Sequence, residues 1–124
     1  MTDPFSSRGP APGRTLSVVV PTRNEELNVG PLTSRMVAAL AGHVEDWELI
    51  FVDDSDDSTP SAVVALADRG LPVRLLHRQK GSRPGGLGGA VKEGFSIAQG
   101  TVVAVMDADL QHPPEVLPAM VALV

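Results

Sequence analysis

Two carboxylates and an amide, Asp107, Asp109 and Gln111, follow directly on the apolar run Val102-Val103-Ala104-Val105-Met106. The run is short, continuous and largely β-branched, the pattern of a strand buried on both faces. It must end where the carboxylates begin, because ionised groups do not stay unpaired in an apolar layer. If the backbone stays extended, side chains alternate with period two, and all three groups point to one side. Carboxylates ~5 Å apart repel by roughly 3 kcal/mol at an effective dielectric of ~20. An oxygen-preferring divalent cation, Mg²⁺ or Mn²⁺, reverses that sign, and such sites commonly take further ligands from a substrate's phosphates. The competing reading makes Asp109 a helix cap and Asp107 a solvated strand end. His112, beside Pro113 at a helix start, reads as a surface residue before it reads as a ligand.

Two other polar stretches leave apolar runs in the same way. Thr22-Arg23-Asn24-Glu25-Glu26-Leu27 follows Thr15–Val20 and Pro21, and Asp53-Asp54-Ser55-Asp56-Asp57-Ser58-Thr59 follows Trp47–Val52. Acidic groups before a helix N-terminus are favoured by its dipole by about 0.3–1 kcal/mol, which accounts for Asp56 and Asp57. Asp53 and Asp54, at the strand mouth, stay as site candidates. A Gly-rich stretch, Gln79–Gly89, follows the third apolar run, Val73–His77. It is neither a dinucleotide fingerprint, which belongs after the first strand, nor a P-loop, since no Lys follows Gly86. Arg83 and the backbone N–H groups beside a helix N-terminus could hold a phosphate. The alternative is that the glycines let the helix pack closely. His43 and His77 read as structural.

These stretches need elements to position them. Strands are expected at Thr15–Val20, Trp47–Val52, Val73–His77 and Thr101–Met106, with Pro21 ending the first. Helices are expected from Asn28 as cap to about Ala41, over about 60–69, over Ala90–Gln99 with Gly100 as terminator, and from Pro113-Pro114 onward. Leu32, Met36, Val37 and Leu40 fall at helical spacing as core. Alternating strands and helices imply an α/β fold, a doubly wound, mostly parallel sheet of order 3-2-1-4 with helices on both faces. Ligands of such sheets bind at the carboxyl ends of the strands beside the topological switch point, between strands 1 and 4. The three acidic loops all lie at those ends.

The bounds agree. With 124 residues, 43% hydrophobic and 20% charged, the chain has room for one globular domain. Residues 1–14, rich in Pro, Gly and Ser, read as a disordered tail, leaving 15–124 as the domain. A net charge of −5 without a basic run makes nucleic acid a poor partner. The absence of cysteine fits a reducing compartment and excludes disulfides and cysteine-ligated zinc. No membrane-spanning run and no secretory h-region is expected.

Four stretches in order, Val18–Glu26, Phe51–Ser55, Gly86–Val91 and Met106–Glu115, resemble the family 2 glycosyltransferases of GT-A fold, in particular the polyprenol (dolichol) phosphate mannose or glucose synthases. The resemblance covers about residues 15–124 and only the N-terminal, nucleotide-sugar-binding part of such enzymes. It implies that Pro21, Arg23 and Glu25 hold the nucleoside, and that Val52 and Asp54, with Asp53 beside them, grip base and ribose. It implies that Asp107, Ala108, Asp109 and Gln111 meet the divalent cation and the diphosphate. The implied reaction is metal-dependent, inverting transfer of a hexose, mannose first, from a GDP-mannose or UDP-glucose type donor to a polyprenyl phosphate at the cytoplasmic membrane face. Arg23 stands where the family commonly has an aromatic, and Gly86 where a Lys is often found. No catalytic base is identifiable in this stretch. The rival readings are a sibling transferase with a saccharide acceptor, a non-catalytic nucleotide-binding fragment, and a phospho-accepting receiver domain.

Overall fold

The computed structural model describes residues 15–109 and 113–123. The tail 1–14, Gln111 and His112 lie outside the described residues. Four β-branched, apolar segments form parallel strands: β1 (Thr15–Thr22), β2 (Asp46–Asp53), β3 (Val73–His77) and β4 (Val102–Val105). They are hydrogen-bonded in the order β3-β2-β1-β4, so the sheet grows one way to β3 and then turns back past β1. The connections are α1 (Val29–Leu40), α2 (Thr59–Asp68) and α3 (Gly86–Ile97); a 3₁₀ turn, Pro114–Val116, leads into α4 (Leu117–Ala122). The expected α/β class and strand order are those observed.

Each face of the sheet has its own apolar layer. On one, Leu16, Val18, Val20, Leu49 and Phe51 meet α1, α2 and α4 through residues such as Leu32, Met36, Val63 and Leu117. On the other, Val19, Ile50 and Val52 meet Ala90 of α3. α3 comes close because Gly94 faces Val19 and Val52; an added Cβ would stand 2.4 Å from Val19 Cγ1 and 3.0 Å from Val52 Cγ2. Both neighbours are β-branched and stiff. Gly94→Ala is therefore expected to destabilise the chain by about 1–3 kcal/mol in urea unfolding, in spite of alanine's better helix propensity.

Four expectations need correction. Pro21 lies within β1, opposite Val52, and does not end it. Val19 O accepts the Met106 N–H, so the two-residue repeat turns Pro21 toward the β4 side, beyond the last β1–β4 pair at Val19 and Val105, where no donor is needed. Second, β4 is not buried on both faces. It is the edge strand, with Val103 and Val105 38% and 42% exposed, because α3 lies over β1 and β2 and leaves β4's outer face uncovered. Third, α3 starts at Gly86 rather than Ala90, and Gly85 takes the left-handed φ of 77° that opens it. Fourth, Gly100 is not the helix terminator: the cap is Ala98, and Gly100 is small because Ser17 N would lie 2.6 Å from its Cβ.

Candidate donor-binding site

The carboxyl ends of β1, β2 and β4 open into one cleft of about 340 Å³. Of the residues expected there, Pro21, Arg23, Glu25, Asp54, Asp107, Ala108 and Asp109 line it, joined by Thr22 and by Gly86, Leu87 and Ala90 of α3. The backbone turns at Ala108 and Asp109 and is not extended there. Both aspartates nonetheless reach the cleft and are exposed, with Ala108 buried between them at 3% exposure.

Loop geometry follows from a lattice of side-chain bonds between the first two loops. Asn24, at a left-handed φ of 55° that asparagine tolerates, donates its N–H to Ser55 Oγ (2.7 Å) and accepts from the Asp56 N–H (3.1 Å). The Glu25 N–H reaches Thr59 Oγ1 at 2.9 Å. Asn28 precedes α1 without capping it, because its amide is turned to the Glu25 carboxylate. Asp57 accepts the Thr59 N–H at 2.9 Å, the helix-start role expected of it.

Three candidates stand away from the cleft. The Val52 side chain is fully buried in the layer beneath α3. Asp53, also fully buried, accepts from Thr22 Oγ1 and Ser55 Oγ at 2.6 Å and pairs with His77 Nδ1 at 2.8 Å. It clasps the exits of three neighbouring strands, and His77, read as structural, is part of that clasp. Arg83, expected at a phosphate, donates to Arg78 O and Ser55 O at 2.9 Å and pairs with Asp56 at 3.1 Å. The close-packing alternative accounts for two further glycines of the loop: a Cβ on Gly89 would stand 1.8 Å from Pro84 O, and one on Gly85 would stand 2.9 Å from Gly89 Cα.

The group missed at the sequence level is Arg78. It is 4% exposed and holds Asp54 with two parallel bonds of 2.7 Å from Nε and Nη2. A single arginine after a strand carries no motif, and its bonds reach residues up to 24 positions away. Those hydrogen bonds hold the Asp54 carboxyl below the usual carboxylate range; burial opposes them, and the charges of Arg78, Arg83 and Arg23 add to them. In turn Asp54 and Glu93 push Arg78 further up. A depressed carboxyl contributes stability that is complete above about pH 5 and fades as pH falls through its folded value. The stability difference between the parent and Asp54→Asn is thus expected to narrow in urea unfolding as pH is lowered from neutral to about 3.

Among the described residues no three His, Cys, Asp or Glu side chains come together as a metal cage. Two carboxylates in an open cleft are the donor set a Mg²⁺ or Mn²⁺ ion takes when phosphates supply further oxygens, so the residues fit a phosphate-shared ion. Gln111 lies outside the described residues. A second polar hollow, about 180 Å³ at the opposite strand ends, holds Asp46 and Glu48, and the Glu48 carboxylate takes bonds from Ser17 Oγ, Arg74 Nη1 and the Gln99 N–H.

An open parallel sheet with an acidic cleft at its switch point defines a doubly wound α/β domain whose ligand crevice lies at the carboxyl ends of the strands. Residues 17–124 match the model of Glycosyl transferase family 2, and the chain belongs to that family. It is 45% identical over 106 residues to a dolichol-phosphate mannosyltransferase of Saccharomyces cerevisiae, across 84% of this chain and 39% of that protein. It is 38% identical to a dodecaprenyl-phosphate galacturonate synthase of Rhizobium johnstonii, across 91% and 33%. Among solved structures, a mannosyltransferase of Pyrobaculum calidifontis, in complex with GDP-Man and Mn²⁺, superposes with a TM-score of 0.71 at 28% identity, over 88% of this chain and 32% of that one. Glucosyl-3-phosphoglycerate synthase of Mycobacterium tuberculosis, with Mn²⁺ and UDP, gives 0.69 at 26% identity, over 89% and 39%. The chain thus spans between 29% and 39% of the length of the first curated relatives it matches.

Proposed function

We propose that this chain is the donor-binding part of a metal-dependent, inverting glycosyltransferase that moves a hexose, mannose first, from a nucleotide sugar to a polyprenyl phosphate at the cytoplasmic membrane face. One observation carries the reading: Pro21, Arg23 and Glu25 after β1, Asp54 after β2, and Asp107 and Asp109 after β4 line a single cleft. Relatives named for dolichol- and dodecaprenyl-phosphate products support the acceptor class. No described helix is long and apolar enough to cross a membrane.

The chain's own groups have distinct tasks. Arg23, Glu25 and Asp54 face the nucleoside. The Leu87 N–H in the first turn of α3 faces the diphosphate, where a helix start favours negative charge, while the Gly86 N–H is held by Arg83 O at 3.3 Å. Asp107 and Asp109 hold the cation. Bound there, it neutralises charge developing on the departing nucleoside diphosphate. The acceptor activation step has no assigned residue. A sibling transferase with a non-lipid acceptor is the second reading, favoured by the superposition on glucosyl-3-phosphoglycerate synthase.

Calorimetric titration of GDP-mannose, UDP-glucose and GDP, each with Mn²⁺ and again with EDTA, tests the donor site. Metal-dependent binding of one nucleotide class is expected. A folded chain that binds none of them overturns the reading.

A further inference from the structure

We infer that Arg78 is a positioning residue for the donor site, orienting Asp54 against the start of α3 without touching the ligand. The inference rests on the donor-site reading above. An arginine has five N–H donors, and all five are engaged. Nε and Nη2 hold the two oxygens of Asp54 at 2.7 Å; Nη1 reaches Glu93 Oε2 at 2.6 Å and Pro84 O at 3.0 Å; Nη2 also reaches Gly86 O at 2.9 Å. No donor is left for a nucleotide, and the side chain is only 3% exposed.

Its partners are nonetheless cleft residues: Asp54 and Gly86 both line it. The guanidinium ties the mouth of β2 to the first turn of α3, and Asp54 is the partner through which it reaches the ligand. The fork holds the carboxylate in one plane, with its remaining lone pairs available to an N–H or O–H of base or ribose. Gly89 keeps the passage open, since its Cβ would meet Arg78 Nη1 at 3.2 Å as well as Pro84 O.

The test is calorimetry of the full chain with GDP, UDP and inorganic pyrophosphate, each with Mn²⁺. The variants are Arg78→Met, Arg78→Lys, Asp54→Asn and the double variant Arg78→Lys/Asp54→Asn, with circular dichroism to verify folding. For the nucleotide the parent binds, Arg78→Met is expected to lose at least about tenfold in affinity, and Arg78→Lys a smaller factor. Pyrophosphate affinity is expected to stay within about twofold, and the two single losses to fall short of multiplying in the double variant, because Arg78 acts through Asp54. If Arg78→Met does not fold, Arg78→Lys and the double variant decide. Parent-like nucleotide affinity in the folded Arg78 variants, equal loss of pyrophosphate, or losses that multiply fully would overturn the inference and leave the donor reading standing. A parent chain that binds neither nucleotide overturns both.

Discussion

Asp109→Ala is expected to lower the Mn²⁺-dependent affinity for the nucleoside diphosphate sugar by about 100-fold or more. Loss of a group that merely supports a metal ligand commonly costs 10–100-fold, and Asp109 is proposed as a ligand. The cleft offers little to compensate. Its other carboxylates are Glu25, Asp54 and Asp107, and Asp54 is committed to Arg78. With Glu25 turned to the Asn28 amide, Asp107 is the one other carboxylate of the described cleft residues that the proposal assigns to the ion. The metal-free affinity should change far less, because the α3 amides and the nucleoside-facing residues are untouched. Titration of the same nucleotide with Mn²⁺ and with EDTA separates the two contributions. Equal affinities of parent and variant in Mn²⁺ would remove Asp109 from the site.

Arg78→Met is expected to destabilise the fold by about 3–5 kcal/mol, the usual cost of removing one partner from a buried ion pair. Methionine fills similar volume but leaves the Asp54 carboxylate, 8% exposed, without its counter-charge. It also strips a donor from Pro84 O and from Gly86 O. Little of the loss should come from Glu93, whose side chain is 44% exposed and keeps its water. Against a total stability of 5–15 kcal/mol for domains of this kind, the change is large, and urea unfolding at neutral pH reads it directly. A loss under about 1 kcal/mol would mean that Asp54 finds another partner or reaches solvent.

The close approach of α3 decides how much of this pair could have been foreseen. Gln79–Gly89 invites a phosphate-loop reading, yet Gly85, Gly89 and Gly94 serve contact with backbone or with the sheet. Glycine is chosen alike for phosphate approach and for close packing, and only the neighbours across space tell the two apart. Asp53 and Asp54 pose the same problem. Adjacent residues of a strand face opposite ways, so one of the pair had to turn from the cleft; which one depends on whether Thr22, Ser55 and His77 or Arg78 waits on each side.

What the chain's own order of residues determined is the α/β alternation, the 3-2-1-4 sheet and the gathering of its acidic loops at one end. Hydrophobic period, helix-length connections and loop polarity are local properties, and the ends of parallel strands follow from them. Tertiary structure alone decided that β4 is an edge strand, that Pro21 sits inside β1, that Asp53 is a clasp, and that Arg78 rather than Arg83 bonds the Asp54 carboxylate. Each of these depends on a partner many residues away, reached only when the helices have packed, and side-chain charge and hydrogen-bond geometry carry no trace of that partner in the local sequence.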